Sequence, residues 1–124
     1  MKVVIGYPPL ESDKGIPFLG QNRQFQWGHS PWTAYPVVPA YAATMLQNQG
    51  HEVKWLDGIA EGWSYKQWEN ELIKFNPDIL VIESKTPVIK KHWKIINRLK
   101  SSALNHQSLT IILVGDHVTA RPEK

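Results

Sequence analysis

Ile111-Ile-Leu-Val-Gly-Asp-His-Val-Thr119 decides the fold. Four apolar residues run without a polar break and stop at Gly115. A strand buried on both faces reads this way. Polar groups follow at once in Asp116, His117 and Thr119. Two earlier stretches have the same form, Val3-Val-Ile-Gly-Tyr-Pro-Pro9 and Ile79-Leu-Val-Ile-Glu-Ser-Lys-Thr86. Each is a short β-rich run ending in residues that hydrogen-bond or turn sharply. If the three lie parallel in one sheet, their ends meet at one edge, and open α/β sheets bind ligands outside the carboxyl ends of their strands.

Working outward, Lys2 to Tyr7 reads as the first strand, ended by Pro8-Pro9, because proline has no N–H to give a ladder. From Leu10 to about Tyr35 the pattern is irregular, with Gly15, Gly20, Gly28, Pro17 and Pro31 among Phe18, Phe25, Trp27 and Trp32. A loop of that length is uncommon in a compact domain, and its aromatics argue for an ordered segment that covers something or is covered by something. Val37 to Gln49 reads as a helix with Val38, Ala42, Met45 and Leu46 on its buried face. Pro39 suits its first turn, and Gly50 suits the position past its end. His51 to Asp57 is a second strand whose mixed pattern suits a sheet edge.

Ser64 and Gln67 form a capping box, with Trp63 and Trp68 placed as a hydrophobic staple, and Trp68, Leu72 and Phe75 carry the buried face of that helix. Pro77 stops it, and Asp78 to Ile82 is the third strand. Thr86-Pro87 opens a third helix, capped by Thr86, with Ile89, Trp93, Ile96 and Leu99 inward and Lys90, Lys91, Lys94 and Arg98 on a solvated face. Leu109 to Val114 is the fourth strand.

The order β-α-β-α-β-α-β demands parallel strands with right-handed crossovers. The expected fold is α/β, a flavodoxin-like (Rossmann-like) doubly wound sheet of strand order 2-1-3-4, in one domain over residues 1–124. An apolar fourth strand with nothing after it implies a missing helix–strand unit, and so the front part of a longer protein or an edge covered by a partner.

Composition bounds the chemistry. A charged fraction of 20% and a hydrophobic fraction of 42% are those of a globular chain, and a net charge of +3 is too weak to argue nucleic acid. The absence of cysteine excludes disulfides and thiolate-held metals or clusters on this chain. No run is long enough for a signal peptide or a bilayer span, so no membrane partner and a cytoplasmic location are expected. A phosphorelay receiver needs acidic residues after its first strand and an aspartate after its third, where this chain has Tyr7-Pro8-Pro9 and Glu83-Ser84-Lys85. Neither G-x-x-x-x-G-K nor a G-x-G-x-x-G after the first strand occurs. His29, His51, His92, His106 and His117 offer no i,i+4 pair, so no metal ligands are assigned.

Several segments together carry a resemblance. Val3-Val-Ile-Gly-Tyr-Pro-Pro-Leu10, Tyr35-Pro-Val-Val-Pro-Ala-Tyr-Ala-Ala43, Gly50-His-Glu-Val53 with Asp57, Pro77-Asp-Ile79 with Thr86-Pro87, and Gly115 to Glu123 occur in this order. The chain resembles the N-terminal cobalamin-binding domain of the cobalamin-dependent radical S-adenosylmethionine enzymes. The resemblance implies corrinoid contacts from Tyr7, Pro8, Pro9, Leu10, Ser84, Lys85, Thr86, Gly115, Asp116, His117 and Val118. It also implies a downstream radical domain, not contained in this chain, that would hold S-adenosylmethionine and a 4Fe–4S cluster; this chain alone would not be catalytic. Related cobalamin domains carry D-x-H-x-x-G after the first strand. Here Tyr7-Pro-Pro-Leu-Glu-Ser12 has no histidine, and Asp57-Gly-Ile-Ala-Glu-Gly62 keeps the spacing with Ile59 in the histidine's place. No histidine of that motif is therefore expected on cobalt. The alternatives are a flavin- or nucleotide-binding domain on the same fold and a ligand-free interaction module.

Overall fold

Val3, Val4 and Ile5 are β-branched and flanked by turn residues, and they form the middle of strand β1 (Lys2–Tyr7), buried on both faces. In the computed structural model, which describes residues 1–19, 25–29, 35–102 and 108–123, β1 pairs in parallel with β4 (Glu52–Asp57) on one side and β5 (Ile79–Glu83) on the other. β6 (Thr110–Val114) pairs in parallel with β5, giving the order β4-β1-β5-β6. This is the expected 2-1-3-4 arrangement, with β4 at an edge as its mixed pattern requires.

The helices are α1 (Val37–Asn48), α2 (Tyr65–Phe75), α3 (Ile89–Ser101) and a five-residue α4 (Asp116–Ala120). The capping box is present: Gln67 N–H donates to the Ser64 hydroxyl (3.2 Å) and Ser64 N–H to the Gln67 side chain (2.8 Å). Asn76 ends α2 in the left-handed conformation. One core lies under α2 and α3 and joins Val4, Leu56, Trp68, Leu72, Leu80, Ile82 and Leu99. The Trp68 indole is fully buried and donates to the Leu56 carbonyl at 3.0 Å. A second core, on the α1 side, joins Ile5, Tyr7, Leu10, Leu19 and Val88.

Six expectations are corrected. The stretch from Leu10 to Tyr35 contains a hairpin, β2 (Ile16–Phe18) against β3 (Gln26–Gly28), and its Phe25 and Trp27 pack on the second core. Pro17 hid β2, although proline is tolerated in an edge strand. Trp32 lies outside the described residues. In α1 the inward face is Pro39, Ala40, Ala43 and Leu46, while Val38 and Met45 are exposed. From Val37 to Leu46 only Tyr41 and Thr44 carry a polar group, so no polar stripe shows which side of α1 faces out.

In α3 His92 is buried together with Ile89 and Leu99, and Trp93, expected inward, is exposed. The helix opens through a 3₁₀ turn at Thr86–Val88 with no side-chain cap, so Thr86 does not cap it. β6 is not buried on both faces, since Ile112 is 41% and Val114 37% exposed. Finally, α4 follows Gly115 where no helix was expected. Among the described residues no helix is long and apolar enough to cross a membrane.

Candidate functional site at the carboxyl ends of the strands

Parallel pairing brings Tyr7, Asp57, Glu83 and Val114, the last residues of the four strands, to one edge. The Tyr7 hydroxyl donates to the Glu83 carboxylate at 2.6 Å, tying the end of β1 to that of β5. Burial pushes the Tyr7 hydroxyl well above its ordinary range, and the bond to Glu83 and that carboxylate's charge add to the effect. Burial likewise raises the Glu83 carboxyl, against the pull of the Tyr7 hydrogen bond and the Lys85 charge. Tyr7 is thus a neutral donor at any ordinary pH.

Past β5 the chain lays down Ser84, Lys85 and Thr86, and past β6 it lays down Gly115, Asp116, His117 and Val118. These two turns meet. The Lys85 ammonium, almost wholly buried, pairs with Asp116 at 3.4 Å, and Asp116 is largely exposed. Thr86 Oγ1 and His117 Nδ1 share a hydrogen bond at 3.1 Å. His117 Nε2 is buried and has no hydrogen-bond partner. Ser84, fully buried, bonds through its hydroxyl to His92 Nδ1 at 2.7 Å, and His92 Nε2 is also buried without a partner. Burial lowers the His92 imidazole to about 4, so it is neutral in the folded chain at neutral pH.

Gly115 is in the left-handed region at φ 116°, and a β-carbon there would stand 2.2 Å from the Ser84 carbonyl oxygen. Its freedom is used for strand packing: Ser84 N–H donates to the Val114 carbonyl at 2.8 Å, which pulls the two backbones together. Pro8 is buried, Pro9 lies against Gly58, and Leu10 belongs to the second core. Of the residues implied by the resemblance, the structure therefore brings Lys85, Thr86, Gly115, Asp116 and His117 into one constellation. It sets Tyr7, Pro8 and Leu10 in the packed floor beside β1 and Ser84 beneath the surface.

Two features escaped the sequence. Lys91, Lys94 and Arg98 line, with Tyr65 and Leu10, a cleft of about 330 Å³ between α2 and α3. Arg98 stacks on Tyr65 at 4.2 Å and pairs with Glu69 at 3.7 Å, so part of that face is engaged. The Ser84–His92 pair was hidden because a histidine on a helix read as lysine-rich looks exposed; its spacing from Ile89 was the available signal. His29 is exposed beside Gly15 at the hairpin. Among the described residues no group of three or more histidines and carboxylates is placed to hold a metal ion.

Comparison with known proteins adds one relative. The chain is similar to a protein described as an uncharacterized methyltransferase (PH0819) of Pyrococcus horikoshii, with 30% identity over 91 residues, or 73% of this chain. Those residues span 19% of that protein, so the chain covers about a fifth of the relative it matches. No known family profile matches the chain, and no solved structure matches it. The α/β fold and this relative are compatible with a cofactor-binding module related to methyl transfer.

Proposed function

We propose that this chain is a corrinoid-binding module of a methyl-transferring enzyme, with the cofactor at the carboxyl ends of β1, β5 and β6. Catalysis would belong to a radical S-adenosylmethionine domain outside this chain. The observation that carries the reading is the meeting of the Ser84–Thr86 and Gly115–His117 turns on one edge, with His117 Nε2 buried and unpartnered there. A polar atom left so costs roughly 1–3 kcal/mol, and a ligand atom that satisfied it would recover that cost. Thr86, Asp116 and His117 would hold the amide-bearing rim of the ligand, and Ser84 would support them through the backbone it shares with Gly115. The ring floor would be Pro9 and Leu10. A corrinoid would supply carriage of a methyl group on cobalt. The stretch from Tyr7 to Ser12 contains no histidine, which suits a cofactor held without an axial imidazole from that place. The methyltransferase name of the relative supports the same reading.

The test is titration of the chain with hydroxocobalamin, followed by gel filtration and a visible spectrum. Retained corrinoid without a histidine-ligated spectrum is expected. Replacement of His117 or Thr86 by Ala should weaken retention by about tenfold, the loss of one or two hydrogen bonds. His29→Ala should leave the spectrum unaltered. No retention, or unchanged retention in both rim variants, overturns the reading; a flavin retained instead would favour a nucleotide-binding domain.

A further inference from the structure

We propose that a second cleft, at the carboxyl end of β4, binds a small organic onium cation: a quaternary ammonium or a sulfonium head. The cleft has a volume of about 250 Å³ and is walled by Tyr35, Trp55 and Trp63 with the carboxylates of Asp57 and Glu61. β4 supplies Trp55 and Asp57, the loop into α2 supplies Glu61 and Trp63, and the approach to α1 supplies Tyr35. The site shares no residue with the β5–β6 edge and does not rest on the corrinoid reading.

Charge argues for a cation. The protein carries 14 lysines and arginines and a net charge of +3, yet none of them lines this cleft. Among the described residues neither Asp57 nor Glu61 has an ion pair. Burial pushes the Asp57 carboxyl upward and the Glu61 charge adds to it; backbone N–H groups of Ala60 and Ile59 and the Trp55 side chain oppose the shift. Asp57 is held in place, since Ala60 N–H donates to it at 2.9 Å. Two carboxylates thus line one cleft with no ion pair to either among the described residues. α1 starts beside the cleft, but its amino end is worth only about half a positive charge, less than two full negative ones.

The walls argue for an organic cation and against a metal ion. Among the described residues no three metal-ligating side chains meet here, and aromatic faces offer a hard cation no oxygen ligands, so the lining favours an organic cation over calcium. Aromatic faces attract soft cations through the ring quadrupole, tryptophan most strongly. Tyr35 and Trp55 lie nearly parallel, 20° apart with centroids 6.3 Å apart, and Trp55 is backed by Tyr7 at 5.5 Å. That backing fixes the indole from a strand that is itself buried.

The experiment titrates the whole chain with choline, with trimethylsulfonium and with 3,3-dimethylbutan-1-ol, the uncharged isostere of choline, read by tryptophan fluorescence and calorimetry. Saturable binding of an onium ion is expected, with the neutral isostere weaker by about tenfold. Tighter binding of trimethylsulfonium names a sulfonium as the ligand's head, and tighter binding of choline names a quaternary ammonium. Tyr35→Ala and Glu61→Gln should each weaken binding by about three- to tenfold. Both side chains are exposed, so circular dichroism and the thermal midpoint should stay as in the parent chain. Absence of saturation, equal binding of the neutral isostere, or parental affinity in both variants overturns the proposal.

Discussion

His92 sits in an environment that its residue type does not suggest. It is fully buried, bonded to Ser84 on one nitrogen and to nothing on the other. Its folded-state pKa is lowered to about 4 by burial, against 6.5 for the free imidazole. Between those values the unfolded chain binds a proton that the folded chain refuses. Stability is therefore lost as pH falls from 6.5 towards 4, by up to roughly 3 kcal/mol at about 1.4 kcal/mol per unit. Urea unfolding of the parent and of His92→Gln across this range should show the extra acid slope in the parent alone; parallel slopes would mean that the imidazole is protonated in the fold. Gly115 is the other demanding position. Gly115→Ala adds a carbon 2.2 Å from the Ser84 carbonyl oxygen at φ 116°, so β5 and β6 must part or the backbone must rotate. A loss of about 3 kcal/mol in urea unfolding is expected, and a loss below about 0.5 kcal/mol would show that this turn can reshape freely.

At the scale of elements, α2 was readable in both extent and inward face, and α1 in extent alone. The start of α2 is written in its own residues, because a capping box is a local exchange of two hydrogen bonds. Ser64→Ala should cost about 1 kcal/mol of stability, measured by thermal or urea unfolding. α1 has no local mark of its inward side: Val37, Val38, Tyr41 and Met45 are as apolar as the Ala43 and Leu46 that face the sheet. Met45→Gln, at a position 63% exposed, should leave stability within about 0.5 kcal/mol; a loss above 2 kcal/mol would restore Met45 to the core. In α3 one inward position, Trp93, was misread for a different reason. Trp93 outranks His92 in hydrophobicity, but the buried line runs through Ile89, His92, Ile96 and Leu99, and Ser84 provides the partner that makes a buried imidazole tolerable.

For the whole molecule, the sheet covers its two faces unequally. α2 and α3 close one face over the larger core. On the other, α1 lies against β4 and the hairpin packs near β1, while Ile112 and Val114 on β6 stay open beside their in-register neighbours Val81 and Glu83. The double variant Ile112→Thr, Val114→Thr should lower the fluorescence of a bound apolar dye and change stability by less than about 1 kcal/mol. Unchanged dye binding would place the accessible apolar surface elsewhere, on α1.

Strand and helix order, the parallel sheet and the edge where polar residues gather were legible in the chain. They follow from short-range facts: apolar runs of strand length, proline and glycine stops, and a capping box. The 2-1-3-4 order followed once right-handed crossovers were imposed on that pattern. The hairpin, the inward face of α1, the burial of His92, the Tyr7–Glu83 bond and the cleft at the end of β4 were decided only in three dimensions. Each joins residues far apart in the chain or depends on which surface a neighbour covers, and no local pattern carries the position of a neighbour.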